Sequence, residues 1–334
     1  MKSTLWTSPL PSRRGTLSRL LAAALLAAAP AAWSQGGSDT PVKILVGYPA
    51  GGSLDTLARL LADKLKDELK RPVLVENKPG AGGRVVVDIL KNSPADGSVV
   101  LLGPDALAVI FPYVSKKLGY DPRTDLQPVT TVVDFPFALA AGQEPQVKTL
   151  GEYTSWAKAN PARANFGTPG AGGGHHFLGL MFSKAIGVDM QNIPYQGGAP
   201  MMANLIGGQV SLGFEVLGGQ LEYHRAGKVR MVAVSSATRV PQAPDVPTFA
   251  ELGYPNLTVS GFHAVFAPPK TPAAAVATWN QALAKVVARP EVQERLLSWG
   301  YIPKTGTPDE LTKRIADDAA RWSPVIKASG FSID

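Results

Sequence analysis

The chain has 334 residues, 45% of them hydrophobic and 18% charged. This composition supports sizeable cores rather than a disordered polymer, and the length favours two domains. The absence of cysteine excludes a disulfide framework, a thiolate metal site, a thiol nucleophile and a lipid-modified cysteine anchor. Four of the seven net positive charges (Lys2, Arg13, Arg14 and Arg19) fall in the first 34 residues, which leaves +3 for the rest. With the remaining basic residues scattered, that balance argues against nucleic acid and suits a small anionic ligand.

Residues 1–34 read as a secretory signal. A basic start without acidic residues precedes a 14-residue apolar stretch from Leu20 to Trp33, too short to span a bilayer comfortably. Ala32 and Ser34 present small side chains at the −3 and −1 positions of a cut between Ser34 and Gln35. Ser12-Arg13-Arg14 is similar to a twin-arginine signal, but Thr16 stands where a bulky apolar residue is expected, so general secretion is the preferred route. No later stretch is a transmembrane candidate, and a soluble periplasmic protein is expected.

Beyond the leader, apolar β-type runs alternate with longer helical patterns, which predicts an α/β fold with mostly parallel sheets. A strand is predicted over 43–48. In the next segment Leu54, Leu57, Ala58, Leu61, Leu65 and Leu69 recur at helical spacing. Ser53 is its expected N-cap, and Asp55 sits in the first turn, where negative charge is favoured. Strands at 72–76 and 99–102 follow, with a helix opening at Gly80-Ala81-Gly82-Gly83 between them. Residues 121–128 are turn-rich. Further strands are predicted at 137–141, 164–166, 192–195, 210–214, 229–234 and 259–267, and helices at 149–159, 175–186, 200–206 and 219–226. The chain closes with amphipathic helices at 272–288, 291–299 and 308–329. These last helices lack partner strands of their own and are expected to cover the first sheet. The expected division is therefore one discontinuous lobe (40–133 with 258–334) and a second lobe (134–257), with crossovers near 128–137 and 255–262.

Two strand-to-helix turns are glycine-rich. One carries Gly47, Pro49, Gly51, Gly52 and Ser53; the other carries Gly167, Pro169, Gly170, Gly172, Gly173 and Gly174. Such turns let backbone approach a ligand closely and aim free N–H groups at it from a helix N-terminus. A turn of this kind can also be a plain tight connection. Their duplication, one in each half, points to two lobes gripping one small anion.

The ordered set GYPAGGSLDTLARLLADKL, PVLVENKPGAGG, SPADGSVVLLG, YDPRTDLQPVT, IPYQGGAPMMANLIGGQVSLGFE, RAGKVRMVAVSS, DVPTFAELGYP and FAPPKTP resembles the Bug-type extracytoplasmic solute-binding proteins of tripartite tricarboxylate transporters. The resemblance covers nearly all of the chain after the leader. It implies a periplasmic-binding-protein-like Venus flytrap: two α/β lobes joined by a two-segment hinge, closing on an organic carboxylate. It also implies, as partners, the large and small membrane subunits of a carrier. The expected assembly is a monomer.

By that resemblance, one ligand carboxylate is held by the backbone of Pro49, Ala50, Gly51, Gly52 and Ser53 and, across the cleft, by Gly170, Ala171, Gly172, Gly173 and Gly174; Tyr48 and Asp55, flanking the first turn, are further candidate ligand-binding residues. The physics agrees. A helix N-terminus contributes up to ~2 kcal/mol to a partly buried anion. Each hydrogen bond to a charged group adds about 1.5–3 kcal/mol, and micromolar affinity needs about 8 kcal/mol. No arginine clamp is required. A carboxylate introduced at Gly172 is expected to abolish binding with the fold intact.

Gly103 and Asp105 follow a strand end and should border the cleft, although a helix cap is the preferred role for Asp105. His176 faces the cleft or caps its own loop. Tyr195, in YQGGAP, reaches a ligand or the hinge, and Pro200 suits a first helical position. Glu215 stands where the family more usually has aspartate, and a carboxylate there repels an anion unless it accepts a hydrogen bond. Phe262 and His263 line the pocket or pack at the hinge.

His175 and His176 point about 100° apart on a helix and lack an H-E-x-x-H pattern, so no metal is expected. Neither turn spells G-x-G-x-x-G and no Walker motif is present, so no nucleotide cofactor is expected. No catalytic constellation is recognisable. The sequence thus reads as a non-enzymatic carboxylate receptor serving a membrane carrier. A ligand-presenting receptor for a sensor kinase and a secreted α/β enzyme acting on a carboxylate are the alternatives.

Overall fold

The computed structural model describes residues 40–334; the expected leader lies outside them. The first strand, β1 (Val42–Val46), buries nearly every residue and lies between β2 (Val73–Asn77) and β3 (Val99–Pro104), parallel to both. Helix α1 (Ser53–Leu69) covers these strands with the predicted stripe: Leu54, Leu57, Ala58, Leu61 and Leu65 are buried. Its N-cap is Gly52 rather than the expected Ser53, and no side chain caps it. A turn of 3-10 helix at Ala81–Gly83 leads into α2 (Arg84–Lys91), and the short helices α3 (Ala106–Val109), α4 (Phe111–Val114) and α5 (Pro122–Asp125) follow β3.

The element that organises the fold is β4 (Gln127–Ala141), a continuous strand of 15 residues buried from Val129 onward. Its first part pairs antiparallel with β9 (Ser260–Ala267), from Gln127↔Ala267 to Pro136↔Ser260. Its last part pairs antiparallel with β7 (Leu212–Val216) and β8 (Arg230–Val234). β7 continues through β5 (Asn165–Thr168) to β6 (Gln191–Pro194), both pairings parallel. The path β2-β1-β3-β9-β4-β7-β5-β6 is therefore one sheet, with β8 and β10 (Ile302–Pro303) also pairing on β4. The sheet is mixed, not mostly parallel, because both crossover strands run against their neighbours. The predicted strand at 137–141 is only the last third of β4.

The second half carries α6 (Leu150–Ala159), α7 (Gly174–Ile186), α8 (Gly198–Ile206) and α9 (Leu217–Arg225). Helix α8 begins at Gly198, so Pro200 is its third residue instead of its first. The chain ends in α10 (Ala273–Val287), α11 (Pro290–Ser298) and α12 (Pro308–Ser329). Helix α10 lies on α1, and Arg289, just beyond it, pairs with Glu68 of α1 at 2.7 Å; Trp279 of α10 donates its indole N–H to the Gly97 carbonyl ahead of β3 at 2.9 Å. Thr307 and Glu310 form a reciprocal capping box at the start of α12, as that spacing favours. Residues 40–334 form one compact unit. Among the described residues no helix is long and apolar enough to cross a membrane.

Candidate functional site

The first glycine turn is built by Asp55. Its carboxylate accepts the Gly51 amide at 2.8 Å, the Arg59 Nε–H at 2.9 Å and the Asn77 side-chain amide at 2.9 Å. Asn77 also donates to the Tyr48 carbonyl at 3.1 Å. The Arg59 hydrogen bond, foremost, holds the Asp55 carboxyl down to about 2. Gly51 has a φ of +82°, which glycine accepts without strain. The Gly51 amide and the nearest guanidinium in sequence are thus committed to shaping the turn. The donors left at the start of α1, which no side chain caps, are the backbone N–H groups of Ser53, Leu54 and Asp55, since the Thr56 amide already donates to the Gly52 carbonyl. Pro49, Ala50, Gly52 and Ser53 are exposed. Tyr48 lies back from the turn, with its hydroxyl donating to the Gly82 carbonyl at 2.9 Å and burial pushing it up to about 12.

The second turn has the same plan with a histidine as its brace. The Gly172 amide donates to His176 Nδ1 at 3.1 Å, and His175 Nε2 lies 3.1 Å from the Gly170 carbonyl. His176 therefore caps its own loop; burial lowers both imidazoles to about 4, so both are neutral near pH 7. Helix α7 has Gly173 as N-cap and no side-chain cap; the His176 amide turns back to the Gly173 carbonyl at 3.0 Å, which leaves the Gly174 and His175 amides as donors. A Cβ at Gly170 would meet nothing within 4 Å, whereas one at Gly172 would fall 2.9 Å from the Phe331 ring. Gly172, at φ +76°, faces packed chain, and the open position is Gly170. A carboxylate at Gly172 would strike Phe331, so the expectation of an intact fold with binding lost does not apply there.

An aromatic wall joins the two turns. The Tyr301 hydroxyl stands close to the Ser53 side chain. The rings continue from Tyr301 to His263 at 5.6 Å, then to Phe135 at 4.7 Å, Phe137 at 5.8 Å and His175 at 6.4 Å. Phe137 also stands where a Cβ on Gly174 would lie, 2.7 Å from its ring edge. His263 is buried, driven down to about 3, and its Nδ1 has no hydrogen-bond partner among the described residues. Of the pocket and hinge roles the sequence offers His263, the structure shows a ring packed within this wall; Phe135, Phe137 and Tyr301 join it without a distinguishing sequence pattern. Their only signal was aromaticity within buried runs, which core packing produces equally well.

Glu215 is the penultimate residue of β7, paired opposite Ala138 of β4. Burial pushes its carboxyl up to about 7, with Oε1 accepting the Val216 amide at 2.9 Å. A Cβ on Gly198 would lie 2.5 Å from Oε2, which places the carboxyl against the start of α8. Tyr195 packs its ring over Gly167, and its amide donates to the Thr168 carbonyl at 2.8 Å. Gly103 is packed against Leu107. Asp105 occupies the N-cap position of α3 without a side-chain capping bond; burial first, and then Asp318, pushes it up to about 7. No group of three or more His, Cys, Asp or Glu among the described residues is placed to hold a metal ion. An open polar groove of about 590 Å³, lined by Lys148, Arg225, Arg230 and Asp245 among others, includes no residue of either turn.

The α/β architecture with its single crossing sheet is that of the periplasmic binding proteins. The family model described as "Tripartite tricarboxylate transporter family receptor" matches residues 57–331, and the chain belongs to that family. It is similar to protein BugT of Bordetella pertussis, 34% identical over 295 residues, 88% of this chain and 90% of that one. Among solved structures it is similar to Rpa4515 of R. palustris with adipate (29% identity, TM-score 0.80, 88% of this chain and 98% of that chain). It is also similar to MatC of Rhodopseudomonas palustris with bound malate (28% identity, TM-score 0.73, 86% and 98%).

Proposed function

We propose that this protein is a periplasmic receptor that captures a small organic carboxylate between the turns at 48–55 and 170–176 and delivers it to the large and small membrane subunits of a tripartite carrier. The observation that carries the reading is the pair of helices, α1 and α7, whose first-turn amides are capped by no side chain and are joined by one aromatic wall. Two helix N-termini and their amides supply charge-assisted hydrogen bonds without a cationic side chain. Adipate and malate in the related structures support a carboxylate. Each half supplies part of the anion's hydrogen bonds, so only a closed arrangement satisfies them all. The lobes are 40–133 with 258–334, and 134–257. The ligand leaves unchanged, as expected of a receptor rather than an enzyme.

A thermal-shift screen of malate, adipate, citrate, succinate, glutamate and benzoate tests the reading. A true ligand at a hundred times its Kd adds about 2.7 kcal/mol of stability. A flat response across the whole set would reject it. Recovery of a chemically altered compound would reject the receptor role in favour of an enzyme.

A further inference from the structure

The segment after α12 has two faces, each attached to a different part of the molecule. On one face the Ile333 amide donates to the Val114 carbonyl at 2.9 Å. The Asp334 carboxylate accepts the Ser115 hydroxyl at 2.9 Å and the Lys117 amide at 3.0 Å, and also the Lys116 amide. Arg84 lies 3.8 Å away. On the other face, the Phe331 ring stands edge-on to His176 at 4.9 Å and reaches Phe177 at 6.1 Å. Phe331 and Ile333 together occupy the space where a side chain on Gly172 would sit, at 2.9 and 3.2 Å.

We propose that residues 331–334 form a strap that positions the second glycine turn, with Asp334 as its fixed end and Phe331 as the surface against which the turn is set. The mechanism is steric and electrostatic. Phe331 holds the His176 ring so that Nδ1 receives the Gly172 amide, which turns that N–H into the loop and leaves the amides at the start of α7 for a ligand. Asp334 ties the strap to the loop after α4 through Ser115, Lys116 and Lys117. Phe331 and Asp334 are positioning residues, since they act on the ligand through Gly172 and His176. Their effect on binding rests on the receptor reading above; their effect on the turn does not.

Hydrogen–deuterium exchange of the ligand-free, full-length exported protein separates the two. In Asp334→Ala and in Phe331→Ala, amides 171–173 should exchange about tenfold faster or more, with amides 51–53 unchanged. Phe331→Tyr, which keeps the ring, should retain protection. Whichever carboxylate of the panel stabilises the parent protein most should bind the two alanine variants about tenfold more weakly. Unchanged exchange at 171–173 in both variants, or an equal rise at both turns, would overturn the strap. A flat panel would overturn the receptor reading and leave the exchange result to decide the strap alone.

Discussion

The carboxylate of Asp55 and the amide of Gly51 meet at 2.8 Å, closing the first glycine turn from inside the helix that follows it. An acidic residue in a helix's first turn usually interacts with its dipole; here it also sets the loop. Asp55→Ala would strand the Gly51 and Asn77 donors and should cost about 2–3 kcal/mol, with carboxylate binding weakened in proportion. Because folding lowers this carboxyl to about 2, its contribution is present above about pH 4 and is lost as pH falls towards 2. Urea titrations of both proteins between pH 2 and 7 would show the gap closing at the acid end; a constant gap would refute the assignment.

Glu215 titrates in the opposite sense. Its folded value is raised to about 7, so the neutral form is stabilising, and that contribution is full below about pH 4.5 and fades as pH rises to 7. Glu215→Gln should remove this share of the slope and raise Tm at pH 8. It should also flatten the decline of carboxylate affinity between pH 6 and 8 expected of the parent protein. Parallel pH profiles for the two proteins would count against it.

Gly170, with open space around its Cβ position, is the residue at which to introduce charge. Gly170→Asp should weaken carboxylate binding tenfold or more and leave stability within about 0.5 kcal/mol. The isosteric Gly170→Asn should bind close to normally. Gly172→Ala, by contrast, should lose about 1–2 kcal/mol of stability from its left-handed backbone alone. Calorimetric titration and denaturant melts distinguish the two positions.

Gly218 and Gly300 bring the start of α9 against the segment after α11. A Cβ on Gly218 would fall 2.1 Å from the Trp299 carbonyl oxygen, and one on Gly300 2.7 Å from the Gly218 nitrogen. Gly218→Ala should cost about 1–3 kcal/mol through overpacking. An unchanged denaturation midpoint would show that this approach is relaxed in solution.

Where the pattern is local, the sequence is legible. The stripe of α1 and the span of α12 follow from spacing and from Thr307, Pro308 and Glu310. The first part of β4 was not recognised because Asp134 and Pro136 interrupt its apolar run. What makes Asp134 tolerable there is Arg314, together with Lys304 at 3.3 Å, both far away in sequence. Ser53 was misplaced as a cap because the helix leaves its first amides without a side-chain partner, a choice that local propensity does not favour. Glycine spacing marks both strand-to-helix turns. The aromatic wall needs β4 and β9 side by side, and only the fold supplies that adjacency.

The fifteen residues of β4 have a thermodynamic consequence. The strand is shared property: melting the sheet around β9 removes the backbone partner on which β7 and β8 depend, and the reverse holds as well. The two halves of the sheet then denature together, giving one calorimetric transition instead of two.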